Sequence, residues 1–400
     1  MPYSDLSEKR PVSVRQAASK VRGFFSVKNS LLYFCLVGWL VCCVLKESTV
    51  DYYFDVGLDL LQIACIAGML LNEINKNATY RRFDFIFLLV IAVFAITALV
   101  SKSLTLLQAT IIIYLARDSN YRILFKLSFI TLSVALLAVC SLSFLGVIDP
   151  GILIEDADRT RASMGFQWPS RVGNYVLAIL LFYVLWKQKD ASPFVLVLIL
   201  AISALVYFIT AARNPFMLTL AMVAAVLFLQ VFSRSITTGK LCMALFIGIA
   251  LVIVWYCCLS VFYNPASALE YDLNRAFSNR LLFARNAFRY NGFTALGCEL
   301  LASGDTDPYV QGYLDSSYLR IIGYYGVIVV GVVLIALCFI TKRVVETKNR
   351  YLVLCLALIL VHGILEGQLY ALQFSPLFFL IPCLLGENRR TDNLQALLQE

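Results

Sequence analysis

Charge is what this 400-residue chain has least of: Asp, Glu, Lys and Arg make up 14% of it against 60% hydrophobic residues, and the mean hydropathy is +0.81. A water-soluble chain of two or three domains does not have that composition. Histidine is nearly absent as well. The single imidazole, His362, rules out sites built from clustered histidines, and the chain contains no HExxH, no CxxC pair and no Walker loop. ATP-driven transport is therefore not expected of this chain alone. No internal repeat of solenoid period and no low-complexity tract is visible. Short segments of alternating polarity are missing too, which excludes a transmembrane barrel.

What remains is a set of continuous apolar runs, at roughly 30–46, 52–72, 84–100, 103–116, 122–144, 171–187, 192–212, 215–232, 241–262, 317–340, 351–365 and 369–386. At about 20 residues per span they predict an all-α polytopic integral membrane protein of about twelve transmembrane helices. One transmembrane domain covers 30–386, and no separate soluble catalytic domain fits. The first run follows a polar stretch without a small-residue cleavage site, so it is expected to be a retained span. With the N-terminus inside, the cytoplasmic segments hold 21 of the 33 Lys and Arg residues, which places both termini in the cytoplasm. That bias accounts for most of the net charge of +8. No basic, aromatic-interleaved surface for nucleic acid is present. The tail 1–29 is basic, and Val12 to Phe25 is expected to lie as an interfacial helix on the anionic inner leaflet. Residues 387–400 form a second cytoplasmic tail. Of twelve cysteines, all but Cys298 sit in or beside apolar runs, so they read as small apolar residues and no disulfide is expected.

Two larger outer loops, about 146–170 and 263–316, stand out, and long ordered loops are usually functional. Arg275, Arg280, Arg285 and Arg289 lie in the second, Arg159, Arg161 and Arg171 bracket the first, and Arg213 caps a short turn between two spans. Positive charge on the outer face runs against the usual bias. Arginine presents a rigid fork of donors suited to phosphate and carboxylate, so the set is a candidate anionic-ligand site; pairing with Glu270, Asp272 or lipid headgroups is the plainer alternative. Asp315 precedes a span, as an N-cap or as a site residue. Asp55, Asp59 and Glu366 lie close to hydrocarbon, where carboxylates are costly and mark candidate function. His362, one turn before Glu366, reads as a base or as a packed residue. The patterns Asp156-Ala157-Asp158 and Asp305-Thr306-Asp307 are weak signals of metal binding, and no metal site or cofactor is expected.

Four stretches then carry a resemblance. Gly165-Phe166-Gln167-Trp168-Pro169-Ser170-Arg171-Val172-Gly173 resembles a glycine-rich turn entering a helix, with Ser170 in place of the usual Asn. Thr210-Ala211-Ala212-Arg213 resembles a short Thr-x-Ser-Arg turn, with Ala for Ser. Asn279-Arg280-Leu281-Leu282-Phe283-Ala284 with Leu296-Gly297 resembles an arginine segment before a glycine turn, and Asp315 to Gly326 resembles an Asp-Asn-x-Tyr motif closing on an aromatic and Gly. In this order they resemble the polysaccharide polymerases of the Wzy type, relatives of the O-antigen ligases. The Arg-x10-Gly element described for some members is absent.

The resemblance implies a glycosyltransferase of the bacterial cytoplasmic (inner) membrane. It would move a growing glycan, an O-antigen or capsule repeat, from undecaprenyl diphosphate to a lipid-linked repeat unit on the outer face. It further implies Arg280, Arg213 and Arg285 at the diphosphate, with Arg289, Arg161 and Arg171 in the same arginine set. Asp315 would be the base ahead of Glu366, and Tyr318 and Trp168 would stack on sugars. Membrane lipids, a chain-length regulator and a flippase are the implied partners. The alternatives are an O-antigen ligase acting on lipid A core, a lipid-linked oligosaccharide flippase and a noncatalytic assembly subunit. A ligase typically carries a loop histidine near the position of Asp315, which is absent here, and a flippase typically shows internal repeats.

Overall fold

The computed structural model describes residues 29–74, 82–156, 159–232, 239–300 and 314–385. The expected interfacial helix, Asp158, the Asp305-Thr306-Asp307 pattern and the tail 387–400 lie outside the described residues. The chain folds as an all-α membrane protein, with a single two-stranded hairpin among the described residues. Helices α1 (Ser30–Lys46), α2 (Asp51–Ile74), α3 (Arg82–Ser101), α4 (Thr105–Leu115) and α5 (Tyr121–Phe144) lead to β1 (Leu153–Asp156) and β2 (Arg159–Ala162). Next come α6 (Ser170–Lys187), α7 (Pro193–Thr210), α8 (Arg213–Val231) and α9 (Gly239–Val261), then two short helices, α10 (Ala268–Ala276) and α11 (Arg280–Asn291). Helix α12 (Ser317–Arg320) continues through a π-turn (Ile321–Tyr325) into α13 (Gly326–Glu346), and α14 (Arg350–Leu365) precedes the five-residue α15 (Ile381–Leu385).

Seven of these elements are long and apolar enough to cross a membrane: α2, α3 from Asp84, α5, α7, α8, α9 and the continuous run Ser317–Glu346. Three shorter apolar helices, α1, α4 and α14, accompany them. Their outer faces carry Phe34, Leu99 and Phe208 at 78, 82 and 80% exposure. Water would not tolerate such faces, whereas hydrocarbon would. Helix α6 is the reverse case, because every residue from Val172 to Leu185 is buried. It is the central post, packed by α5, α7, α8 and α14. Small residues let backbones approach: a Cβ on Gly68 would meet Cys35 Sγ at 2.5 Å, joining α1 to α2, and one on Gly173 would meet Pro215 Cγ at 2.8 Å, joining α6 to α8.

Contacts between helix termini sort the chain into two ends. At one, here the tail end, Asn29 Nδ2 donates to the Asp118 carbonyl (3.4 Å), Arg117 pairs with Glu73 and with Asp84 (3.5 Å), and Asn349 Nδ2 donates to Gln188 Oε1 (3.0 Å). Asn120 and Asn349 also cap α5 and α14 there, each accepting two backbone N–H groups. At the other, the loop end, Thr49 N donates to the Gly165 carbonyl (2.9 Å), the Ser103 and Tyr325 hydroxyls meet (2.8 Å), and Asn174 reaches Glu366 (3.2 Å). Helices α1 to α9, the Ser317–Glu346 run and α14 each lead from one end to the other.

One predicted span departs from the sequence reading, and both loops carry structure of their own. The run 369–386 is not a helix: Glu366 to Ser375 form turns, Pro376–Leu380 a 3₁₀ turn, and only Ile381–Leu385 is α-helical. Pro376 removes an N–H and restricts Ser375, while Gln368, Gln373 and Ser375 interrupt the apolar pattern. The segment is tolerated because it is buried in protein on all sides. The first loop folds as the antiparallel hairpin β1–β2, pairing Leu153 with Ala162 and Asp156 with Arg159. The second loop carries α10 and α11.

Candidate functional site

The loop end gathers polar side chains from five elements. Helix α11 begins at Arg280, directly after Ser278 and Asn279, both with left-handed backbone (φ 55° and 64°). That sharp corner is held by buried Asn274, whose carbonyl accepts from Asn279 N (2.8 Å), whose Nδ2 donates to Asn279 Oδ1 (3.1 Å), and whose Oδ1 accepts from Leu282 N (3.1 Å). The corner aims Arg280 inward. Its Nε lies 2.7 Å from Asp315 Oδ2 and its Nη2 3.3 Å from Glu366 Oε1. The side chains of Arg280, Asp315 and Glu366 are 21, 18 and 9% exposed, so the guanidinium sits between two carboxylates at the edge of the buried interior.

Both carboxylates are held by their surroundings. The cap position of α12 is Ser316 and not Asp315, whose carboxylate instead faces Arg280. Glu366 Oε2 accepts from Asn174 Nδ2 (3.2 Å), a buried amide on α6. Ser317 Oγ donates to the Glu366 carbonyl and accepts from Leu369 N (2.9 Å), pinning the turn that carries the carboxylate. His362, 5% exposed, stands between Asn214 Nδ2 at its Nδ1 and Gln368 Oε1 at its Nε2, both at 3.4 Å. Its electrostatic neighbours include Glu366 and Arg280. The only imidazole, remote from the large loop in sequence, is thus packed beside the Arg280 site.

A second polar cluster adjoins the first. The Arg320 Nε donates to the Leu314 carbonyl, its guanidinium lies on Gly367, where a Cβ would come within 2.6 Å of Cζ, and it stands against the Tyr370 hydroxyl. Arg171 Nη1 lies 3.6 Å from Glu47 Oε2, and Gln373 Nε2 donates to Glu47 Oε1 (3.5 Å). Burial pushes the Glu47 carboxyl above its usual range, with Arg171 as the leading opposing influence. The segments 314–315 and 366–367 therefore serve two arginines, Arg280 through their side chains and Arg320 through their backbone.

The motif glycines serve close approach. Gly297 (φ 88°) and Gly326 (φ 82°) touch: a Cβ on Gly297 would fall 1.9 Å from the Tyr324 carbonyl oxygen, and one on Gly326 2.3 Å from Gly297 N. This contact locks the second loop onto the π-turn. π-Turns of this kind are frequent at functional sites.

Other predicted residues fall elsewhere. Arg213 is exposed at the α7–α8 turn, beside the Asn214 that meets His362. Arg285 is half-buried, with Tyr263 as an electrostatic neighbour, and Arg289 is exposed near the end of α11. Arg161 lies on β2 opposite Ile154. Tyr318 is buried and its hydroxyl donates to the Leu360 carbonyl (2.8 Å), so the ring packs within the protein and presents no face for sugar stacking. Asp55 and Asp59 pair with Lys46 rather than with loop arginines. Glu270 accepts from Asn264 N (2.6 Å) and caps its own loop. All twelve cysteines are free thiols. Among the described residues no group of three His, Cys, Asp or Glu side chains is placed to hold a metal.

Sequence reasoning missed Glu47, Asn174, Asn274 and Tyr370 and gave Arg320 no role. Asn174 left the clearest signal, an amide inside an otherwise apolar run. No family model matches the chain, and neither a search of curated proteins nor a search of solved structures finds a match.

Proposed function

We propose that this chain is a polysaccharide polymerase of the bacterial cytoplasmic membrane, a glycosyltransferase that moves a growing glycan from a polyprenyl diphosphate carrier to a lipid-linked repeat unit. The carrying observation is Arg280, held between Asp315 and Glu366 by elements far apart in sequence. Departure of a lipid diphosphate develops negative charge, and a guanidinium fixed before the reaction stabilises it without reorganisation. The acceptor hydroxyl must lose a proton. Asp315, the more exposed of the two carboxylates, is the base, and Glu366, held by Asn174 and Arg280, orients the guanidinium. The bond that breaks is already activated by its diphosphate.

In this reading the eleven end-to-end helical elements and the broken segment Glu366–Leu385 make twelve crossings, with both ends of the chain cytoplasmic. That orientation is supported by the whole-chain count, in which 21 of the 33 Lys and Arg residues fall in the cytoplasmic segments, in keeping with the inside bias of basic residues. The Arg280 site then faces outward.

One observation favours the ligase as the second reading. The described part of the large loop carries no histidine, yet folding brings His362 to the site from α14. Both ring nitrogens already have partners and the ring is buried, which suits a positioning role more than proton transfer.

The test is the size profile of surface and lipid-linked glycan in cells lacking the gene, with and without its restoration. The polymerase predicts loss of the polymer ladder with single repeat units still delivered to their acceptor. Long polymer stranded on its carrier would establish the ligase, and repeat units trapped on the inner face a flippase.

A further inference from the structure

A cavity of about 500 Å³ lies between α3, α4, α13 and the broken segment 366–380, within the range of ligand pockets. Its walls are formed by side chains such as Phe94, Leu106, Val333 and Phe378. The one hydroxyl of its α4 wall, on Thr110, is spent on the Leu106 carbonyl (2.9 Å), so the interior is apolar. Ile86, Ile335 and Phe339 line it and are each more than half exposed. The cavity therefore opens sideways, toward lipid.

Its two ends differ. Toward the tail end it stops at Arg343, which pairs with Glu346 (3.1 Å). Toward the loop end it reaches Tyr370, whose hydroxyl stands against Arg320, with Arg171 close by. Among the described residues, Arg320 and Arg171 stand nearest the Tyr370 hydroxyl and Glu47 pairs with Arg171, so guanidinium groups lead at that mouth, while Asp315 and Glu366 one residue further along are taken up by Arg280. Along α13 the lining runs from Val332 to Arg343, about 16 Å at helical rise.

We propose that this cavity seats the carrier-proximal part of a polyprenyl tail, with the attached phosphate at Arg320 and Tyr370. The proposal rests on the polymerase reading for the identity of the lipid. It adds a lipid seat beside the Arg280 site, joined to it through residues 314–315 and 366–367. An apolar channel with a lateral opening takes a chain from the bilayer, and a cationic patch at one end selects an anionic headgroup. The remainder of a long tail stays in the membrane.

The experiment uses the full chain in lipid nanodiscs and a polyprenyl phosphate carrying a photoreactive diazirine on a proximal isoprene unit. Label is expected on α4 and α13 residues that line the cavity. Val333→Trp and Ala336→Trp, which fill it without touching the arginines, should each cut labelling at least tenfold. Arg320→Gln should remove most of the preference for polyprenyl phosphate over polyprenol. Label mapping elsewhere in the wild-type chain overturns the proposal whether or not the tryptophan variants fold. So does equal competition by a two-tailed anionic phospholipid.

The polymerase reading fails separately. Cavity labelling together with an unchanged glycan profile in cells lacking the gene would leave the lipid seat standing and remove the polymerase. A lost ladder with no cavity labelling would do the opposite.

Discussion

Arg280 satisfies two carboxylates at once, so its removal has two consequences. Arg280→Ala strands Asp315 and Glu366 at the edge of the interior, and breaking such a buried pair costs about 3–5 kcal/mol. On the proposed polymerase function, chain growth in that variant is expected to stop. Because stability falls too, polymer output must be normalised to folded protein; normal polymer at normal protein level would remove Arg280 from the site. Asp315→Asn and Glu366→Gln separate the roles, since each keeps the shape and loses the charge. Turnover with purified lipid-linked repeat units should fall about 10²–10⁴-fold for Asp315→Asn and less for Glu366→Gln, and the reverse order would exchange the base. Glu47 offers a pH test. Its carboxyl is raised by burial, so its contribution to stability is complete below the unfolded pKa and is lost as pH rises through the folded one. Glu47→Gln cannot titrate. The thermal midpoint of the variant relative to wild type should therefore rise from about pH 4 to pH 8, and a constant gap would show that burial does not control this group.

At the scale of elements, the π-turn and the loop that grips it are the most sensitive joint. Gly297→Ala drives a Cβ into the Tyr324 carbonyl at a left-handed position, and the two faults together should cost more than about 2 kcal/mol. Gly57→Ala in α2 has nothing within 4 Å and should be neutral, or stabilising by up to about 1 kcal/mol from helix propensity. Thermal unfolding of both variants in one detergent checks the contrast, and equal midpoints would mean that the loop contact is not held. The broken segment 366–385 shows why hydropathy misjudges such elements: a window average sees apolar residues, whereas Pro376 and the buried amides of Gln368 and Gln373 decide the backbone.

At the scale of the whole molecule, the two-ended sorting of contacts makes a topological prediction. In a background freed of reactive native cysteines, an impermeant thiol reagent should label Tyr290→Cys in intact cells and spare Lys348→Cys until the membrane is opened. Labelling of Lys348→Cys from outside would overturn the proposed orientation, in which the Arg280 site faces outward.

The apolar runs, their lengths and the Lys and Arg bias were legible in the chain, because crossing hydrocarbon constrains composition residue by residue. Eleven of the twelve predicted runs coincide with helical elements. Arg280, Asp315 and Glu366 stood out in the chain as candidates, since charge beside a membrane is costly, and they lie together in the fold. What brought them within hydrogen-bonding reach was tertiary structure alone: the left-handed corner at Ser278 and Asn279, the Gly297–Gly326 contact and the unwound segment after α14. The same holds for Arg320 on Gly367, for Tyr318 packed onto α14, and for His362 drawn toward the site. Hydrophobicity is a property each residue carries along the chain, so sequence displays it. Convergence of side chains depends on distances between segments remote in sequence, and only the packed helices set those distances.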